Sequence, residues 1–198
     1  MTFLPRRLTV YCGSQPGRDP VYAEAARALG RAMAARGVEL VYGGGSIGLM
    51  GVCADTVLAG GGKVTGVIPR SLFVREVGHR GLTTCTIVES MHERKAIMVD
   101  LADAFVVLPG AFGTLDEMFE VLTWGQLGIH EKPVVLVNVN DYWTPLLAAV
   151  DVMVARGFLR KEHRALLNSV SSAEAALDLI AAWKQPFPVE KWLGRDVR

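Results

Sequence analysis

Asp103-Ala-Phe-Val-Val-Leu-Pro-Gly-Ala-Phe-Gly-Thr-Leu-Asp-Glu117 is the stretch whose reading decides the fold. Residues 103–108 read as a buried strand, and the apolar residues at 115, 118, 119 and 122 recur at helical spacing in a helix that runs to Trp124. A strand, a glycine turn and a helix N-terminus thus follow in close succession. Such a junction aims unpaired backbone N–H groups and the positive end of the helix dipole at one point. An anion, above all a phosphate, is the natural occupant. Gly110, Ala111, Phe112, Gly113, Thr114, Leu115 and Asp116 form that cradle, and Glu117 stands beside it in the expected first helical turn.

Outward from this junction, strands and helices alternate. Strands are predicted at 8–12, 38–42, 63–68, 83–88, 103–108 and 132–138, with helices over 22–36, from the 43–51 glycine loop to about 60, and over 90–102, 143–156 and 172–183. Residues 70–82 read as a loop over a site, and the tail 186–192 as a segment docking back on the body. The pattern specifies an α/β protein: a doubly wound parallel sheet of Rossmann type, in three α/β/α layers, as a single domain over 1–198. In such sheets ligands bind outside the carboxyl ends of the strands, where all three glycine loops fall.

The 198 residues are 51% hydrophobic and 21% charged, enough apolar content for a sizeable core. A formal net charge of +1 gives no basic face for nucleic acid or for a membrane surface. Cys12, Cys53 and Cys85 are odd in number and lack metal-ligand spacing, so a reduced, cytoplasmic setting and no bound metal are expected. No apolar run approaches the roughly 20 residues of a membrane span, and residues 1–7 lack the apolar core of a signal peptide.

Gly43-x-Gly45-x-x-Gly48 has the letters of a dinucleotide fingerprint, but the next strand ends Gly66-Val-Ile-Pro69 without the acidic residue that would hold ribose hydroxyls. The loop reads instead as a wall of a nucleotide pocket, with Gly45 for close approach and Ser46 as a hydroxyl donor. Ser90 and Glu93 have capping-box spacing, so Glu93 is structural. Arg94 precedes Ile97, Met98 and Leu101 by three, four and seven residues and so faces inward, where a guanidinium needs an anionic partner. Thr114 and Glu117 also have capping-box spacing, which leaves Glu117 two roles, cap or catalyst. The inward arginine favours the second. Glu120, one turn on, is placed to support Glu117, and Asp116 to complement the helix dipole. His79, His130 and His163 read as surface or loop residues.

Gly43-Gly-Gly-Ser-Ile-Gly-Leu-Met-Gly51, Met91-His-Glu-Arg-Lys95 and Pro109-Gly-Ala-Phe-Gly-Thr-Leu-Asp-Glu117, in this order and spacing, resemble the LONELY GUY (LOG) family of cytokinin riboside 5′-monophosphate phosphoribohydrolases. The likeness runs from Leu8 to about Phe158 and includes Thr123-Trp-Gly-Gln-Leu-Gly-Ile-His130. It implies hydrolysis of the N-glycosidic bond of AMP or N6-prenylated AMP to free base and ribose 5-phosphate, without metal or redox cofactor. By position it implies Arg94 and Glu117 as the catalytic pair. Lys95, the loop from Ala111 to Thr114, Thr123 and Glu76 would complete substrate binding, in a homodimer whose sites lie near the subunit boundary.

One position departs from the family motif Pro-Gly-Gly-x-Gly-Thr-x-x-Glu: Ala111 replaces the second glycine. If that position needs positive φ, the Cβ costs about 1–2 kcal/mol. This substitution keeps a second function in play, a non-catalytic nucleotide carrier or sensor on the same fold. A "lysine decarboxylase" label carried by some relatives would require an imine-forming lysine for pyridoxal phosphate. Lys95 is the only lysine near the expected site, and Arg94 is the better placed of the two.

Overall fold

The computed structural model describes residues 5–73 and 78–187. Seven strands form one sheet: β1 (Arg7–Tyr11), β2 (Glu39–Tyr42), β3 (Val64–Pro69), β4 (Thr84–Val88), β5 (Ala104–Val107), β6 (Val134–Val137) and β7 (Leu167–Val170). Among the described residues eight α-helices accompany them: α1 (Pro20–Ala35), α2 (Gly48–Ala59), α3 (Arg70–Leu72), α4 (Met91–Leu101), α5 (Phe112–Gln126), α6 (Thr144–Ala155), α7 (Lys161–Arg164) and α8 (Ala173–Ala181). The strand order is β4-β3-β2-β1-β5-β6-β7, and every pairing is parallel. Among the described residues no helix is long and apolar enough to cross a membrane.

The central strands are apolar on both faces because both are covered, as parallel sheets require. Leu8, Val10, Leu40, Tyr42, Val106 and Val135 face α1, α2 and α8, while Tyr11, Val41, Phe105, Val107 and Leu136 face α4, α5 and α6. Thr9, fully buried among them, donates its hydroxyl to the Met98 carbonyl of α4 at 3.0 Å. The chain adds strands outward from β1 to β4, then α4 carries it back across the sheet to β5 on the other side of β1. The order therefore reverses between β1 and β5, and the loops leaving those two strands diverge around a crevice.

Two expected boundaries move and one strand is added. Helix α1 starts at Pro20, because the Asp19 carboxylate accepts the Val21 N–H at 3.0 Å and Pro20 fits the first helical turn. Helix α5 starts six residues before Met118: the Leu115 N–H already bonds the Ala111 carbonyl at 3.0 Å, so the turn is only Pro109-Gly110-Ala111. The seventh strand was not predicted, since Leu167-Asn-Ser-Val170 has little apolar content, and pairing with β6 at the sheet edge makes it a strand. Residue Glu76 and the tail segment 188–192 lie outside the described residues.

Gly48 ties the two glycine loops together. It has φ +61°, and a Cβ there would run into the Ser14 backbone, while next to it the Leu49 N–H donates to the Gly13 carbonyl at 3.0 Å. Gly48→Ala combines left-handed strain with a backbone collision, so urea denaturation should show a loss of at least about 2 kcal/mol. An unchanged midpoint would mean that the loop relaxes freely.

Candidate active site

The crevice between the β1 and β5 ends opens into a cavity of about 520 Å³. That is within the roughly 300–1,000 Å³ of small-molecule sites. The β1 loop lines it from Cys12 to Gly17, the β2 loop with Gly43, Gly45 and Ile47, and the β5 loop and α5 with Pro109, Gly110, Ala111, Gly113, Thr114, Asp116 and Glu117. Arg94 and Met91 enter from α4, and Tyr22 and Tyr142 close the far side.

Arg94 is held by backbone. Its Nε donates to the Val67 carbonyl at 3.1 Å and its Nη2 to the Gly43 carbonyl at 3.2 Å, with Met91 Sδ 3.7 Å from Nη1. The glycine at 43 is a steric requirement, since a Cβ there would occupy the guanidinium position. The first glycine of the dinucleotide-like motif thus seats an arginine. The Glu117 Oε1 lies 3.7 Å from Arg94 Nη2, a charge contact longer than a hydrogen bond, which leaves the carboxylate lone pairs for another partner.

The capping role for Glu117 falls away. With Ala111 as N-cap and no side-chain cap on α5, Glu117 is in the second turn, and neither Thr114 nor Glu117 caps the helix. The dipole role of Asp116 falls for the same reason. The N–H groups of Phe112, Gly113 and Thr114 precede the intrahelical ladder and stand where the cradle was expected. Ala111 itself has φ −112°, outside the left-handed region, so its Cβ carries no strain of that kind. At the other box Ser90 Oγ accepts the Glu93 N–H at 3.1 Å as expected, while the Glu93 carboxylate accepts the N–H of Glu89, one residue before the cap, at 3.0 Å.

Lys95 is not at the rim. It is buried behind the cavity wall, its Nζ 3.1 Å from Asp116 Oδ2 and 3.0 Å from Glu120 Oε1. Burial opposes its charge, but the bonds to Glu120 and Asp116 outweigh that and hold its pKa above the ordinary lysine value. A lysine that forms imines must be deprotonated, so this one does not fit pyridoxal phosphate. Ser46, Phe112, Leu115 and Thr123 are outside the cavity lining: Ser46, Phe112 and Thr123 are exposed, and Leu115 packs into the core of the α4, α5 and α6 face. His130, expected at the surface, is buried with its Nε2 2.9 Å from the Val121 carbonyl.

Tyr142 was missed. Its hydroxyl donates to the Gly110 carbonyl at 2.6 Å, and its ring meets Tyr22 edge-on. Asn140 and Asp141, at φ 48° and 57°, bring it there, a strained turn tied by Thr144 Oγ1 donating to Asp141 Oδ1 at 3.1 Å. The only signal in the sequence was the position of this loop after β6, at the same carboxyl end of the sheet.

A family described as "Possible lysine decarboxylase" matches residues 50–180. The cytokinin riboside 5′-monophosphate phosphoribohydrolase LOG of Oryza sativa subsp. japonica is 50% identical over 168 residues, covering 85% of this chain and 69% of that protein. The cytokinin riboside 5′-monophosphate phosphoribohydrolase of Rhodococcoides fascians is 45% identical over 183 residues, covering 92% and 91%. This chain belongs to the LOG family. Among solved structures, the molybdenum cofactor binding protein of Rippkaea orientalis superposes with a TM-score of 0.69 at 20% identity, over 92% of this chain and 98% of that one. At that identity the likeness shows the fold alone.

Burial pushes the Glu117 carboxyl up to about 7; Arg94 and Lys95 pull it down, and Asp116 and Glu120 push it up. A raised carboxyl pKa means that between about 4.5 and 7 the folded state binds more protons than the unfolded one, so stability falls as pH rises through that window. Arg94 keeps its two carbonyl partners without Glu117. Glu117→Gln should therefore match the parent below about pH 4.5 and exceed it above pH 7 by up to about 3 kcal/mol, read from urea melts across pH. Parallel pH profiles would show that the carboxyl is not perturbed.

Proposed function

We propose that this cavity hydrolyses the N-glycosidic bond of AMP or an N6-prenylated AMP, releasing the free base and ribose 5-phosphate. The observation that carries this is the pairing of an uncapped α5 N-terminus with Glu117 on one wall of one cavity. From Gly113 to Glu117 is about 6 Å along the helix. A ribose spans it with its 5′-phosphate at the N–H groups and its C1′ toward the carboxylate. The relatives named as phosphoribohydrolases support the same reading.

Cleavage builds positive charge on the ribose, and an ionised Glu117 stabilises it. The same carboxylate takes a proton from water as the water oxygen bonds to C1′, the electron pair of the C1′–N bond leaves with the base, and the proton passes from Glu117 through solvent to the base nitrogen, which restores the carboxylate. Arg94, fixed by two carbonyls, holds Glu117 and offers its remaining N–H groups to ribose or phosphate oxygens. Ile47, Leu49, Met50, Ile68, Leu72 and Met91 give the cavity apolar walls suited to a base and its hydrocarbon substituent. Gly45, Gly110, Ala111, Gly113, Thr114 and Asp116 are the remaining substrate contacts, with Glu76 from the 70–82 segment.

The chain works as a homodimer in this reading. Phe112, 89% exposed, Phe119 and Thr123, seven and four residues apart, form an exposed stripe down one face of α5. Thr123 lies outside the cavity of its own chain, so a substrate contact would be made in the partner's site. Three free thiols suit a reducing cytoplasm.

Glu117→Gln should lower turnover of AMP and of isopentenyladenosine monophosphate by about 10²–10⁴, and abolish the rise in rate through about pH 7 that an ionised Glu117 requires. Free base measured by chromatography reads the result. Near-parental turnover in the variant would sink the catalytic role, and nucleotide bound without release of base by the parent would return the carrier reading.

A further inference from the structure

Lys95 stands next to Arg94 in sequence but does another job. Residue 95 is 8% exposed, and its ammonium spans the α4–α5 boundary to reach Asp116 Oδ2 at 3.1 Å and Glu120 Oε1 at 3.0 Å. These two acids flank Glu117, one residue before it and three after it, so three carboxylates share little more than one turn of α5. Like charges at such spacing repel. Glu120 also lies a further turn from the helix N-terminus than Glu117, so an ammonium bonded to it is turned away from a phosphate at Phe112–Thr114.

We propose that Lys95 is a positioning residue: it neutralises and fixes Asp116 and Glu120, leaving Glu117 as the uncommitted carboxylate of the site, and it is not a ligand of the substrate phosphate. This rests on the reading of Glu117 as the ionised catalytic group. The groups facing Glu117 are Arg94 and Lys95 from α4, Asp116 and Glu120 from its own helix, and the Tyr11 phenol and Cys12 thiol from the end of β1. Burial first holds both in their neutral forms, followed by the charge of Glu117 at the phenol, and by Cys53 and then Glu117 at the thiol. The charged neighbours are then two cations and two anions. Deleting Lys95 leaves an excess of negative charge around Glu117 and strengthens its hold on a proton; deleting Glu120 does the reverse.

Infrared difference titration of the free full-length protein, with Glu117→Gln as the blank, reads the Glu117 carboxyl without turnover, and the pH–rate profile with AMP reads it in catalysis. Lys95→Met should move both midpoints up by about 1 pH unit, Lys95→Arg should restore them, and Glu120→Gln should move them down. The clamp is overturned if Lys95→Met raises KM for AMP while both midpoints stay in place, the behaviour of a phosphate ligand. Should Lys95→Met fail to fold, Glu120→Gln carries the test, and an unmoved infrared midpoint in that variant overturns the proposal. Shifted infrared midpoints in a protein that releases no base would uphold the clamp while removing the hydrolase reading.

Discussion

A guanidinium that cannot lose its charge has to be accommodated at the carboxyl ends of β2 and β3, and much of the site follows from that constraint. The Gly43 and Val67 carbonyls accept from Arg94 because β2 has ended and β3 is about to end, which leaves backbone acceptors turned toward α4. A Cβ at position 43 would then displace the guanidinium from its two carbonyl partners. Helix α4 must cross beneath these strands on its way from β4 to β5, so the crossover that reverses the strand order also delivers the arginine. Topology and charge placement are here one requirement.

Against this fixed cation, Glu117 sits in a balance that favours neither full ionisation nor full protonation near neutral pH. Burial dominates and opposes the charge, and Arg94 offsets only part of it, because a contact of 3.7 Å is attraction without a hydrogen bond. A shorter, bidentate pair would have stabilised the fold more and committed the carboxylate's lone pairs. The buried carboxyl instead costs folding stability as it ionises and keeps those lone pairs open to another partner.

Much of this was legible in the chain. The strand run at 103–108 and the glycine turn after it announced a parallel sheet with glycine loops at its strand ends, where a cavity lies, and the apolar stripe of α4 pointed Arg94 inward, where it is buried. What was not legible depended on partners distant in sequence. The capping-box spacing of Thr114 and Glu117 is a local pattern that cannot reveal where a helix begins, and the Ala111–Leu115 bond moves that beginning upstream. Lys95 could be placed near the site but not turned away from it without knowing that Asp116 and Glu120 lie across the helix boundary. β7 exists as a strand because β6 offers an unpaired edge, a fact absent from its own residues. Tyr142 reaches Gly110 through two left-handed residues; Asn140 and Asp141 suit that conformation, but nothing local says that the turn they make delivers the next side chain to a loop 32 residues away.

Ala111 shows how a departure from a glycine-rich motif should be weighed. A glycine can be required for its backbone freedom or for the space it leaves, and the two have different consequences. At φ −112° the first requirement is absent, so alanine costs nothing in left-handed strain, and its N–H is retained. The second remains, because Ala111 lines the cavity at the mouth of the α5 N-terminus, where the added methyl takes up room beside the first free N–H groups of the helix. Its effect therefore belongs to ligand fit and not to folding. Glycine at 43 is the opposite case, where the space is already filled by Arg94, which a Cβ would displace. The chain varies its motif where a methyl meets open cavity and keeps glycine where a methyl would displace the charge on which the site is built.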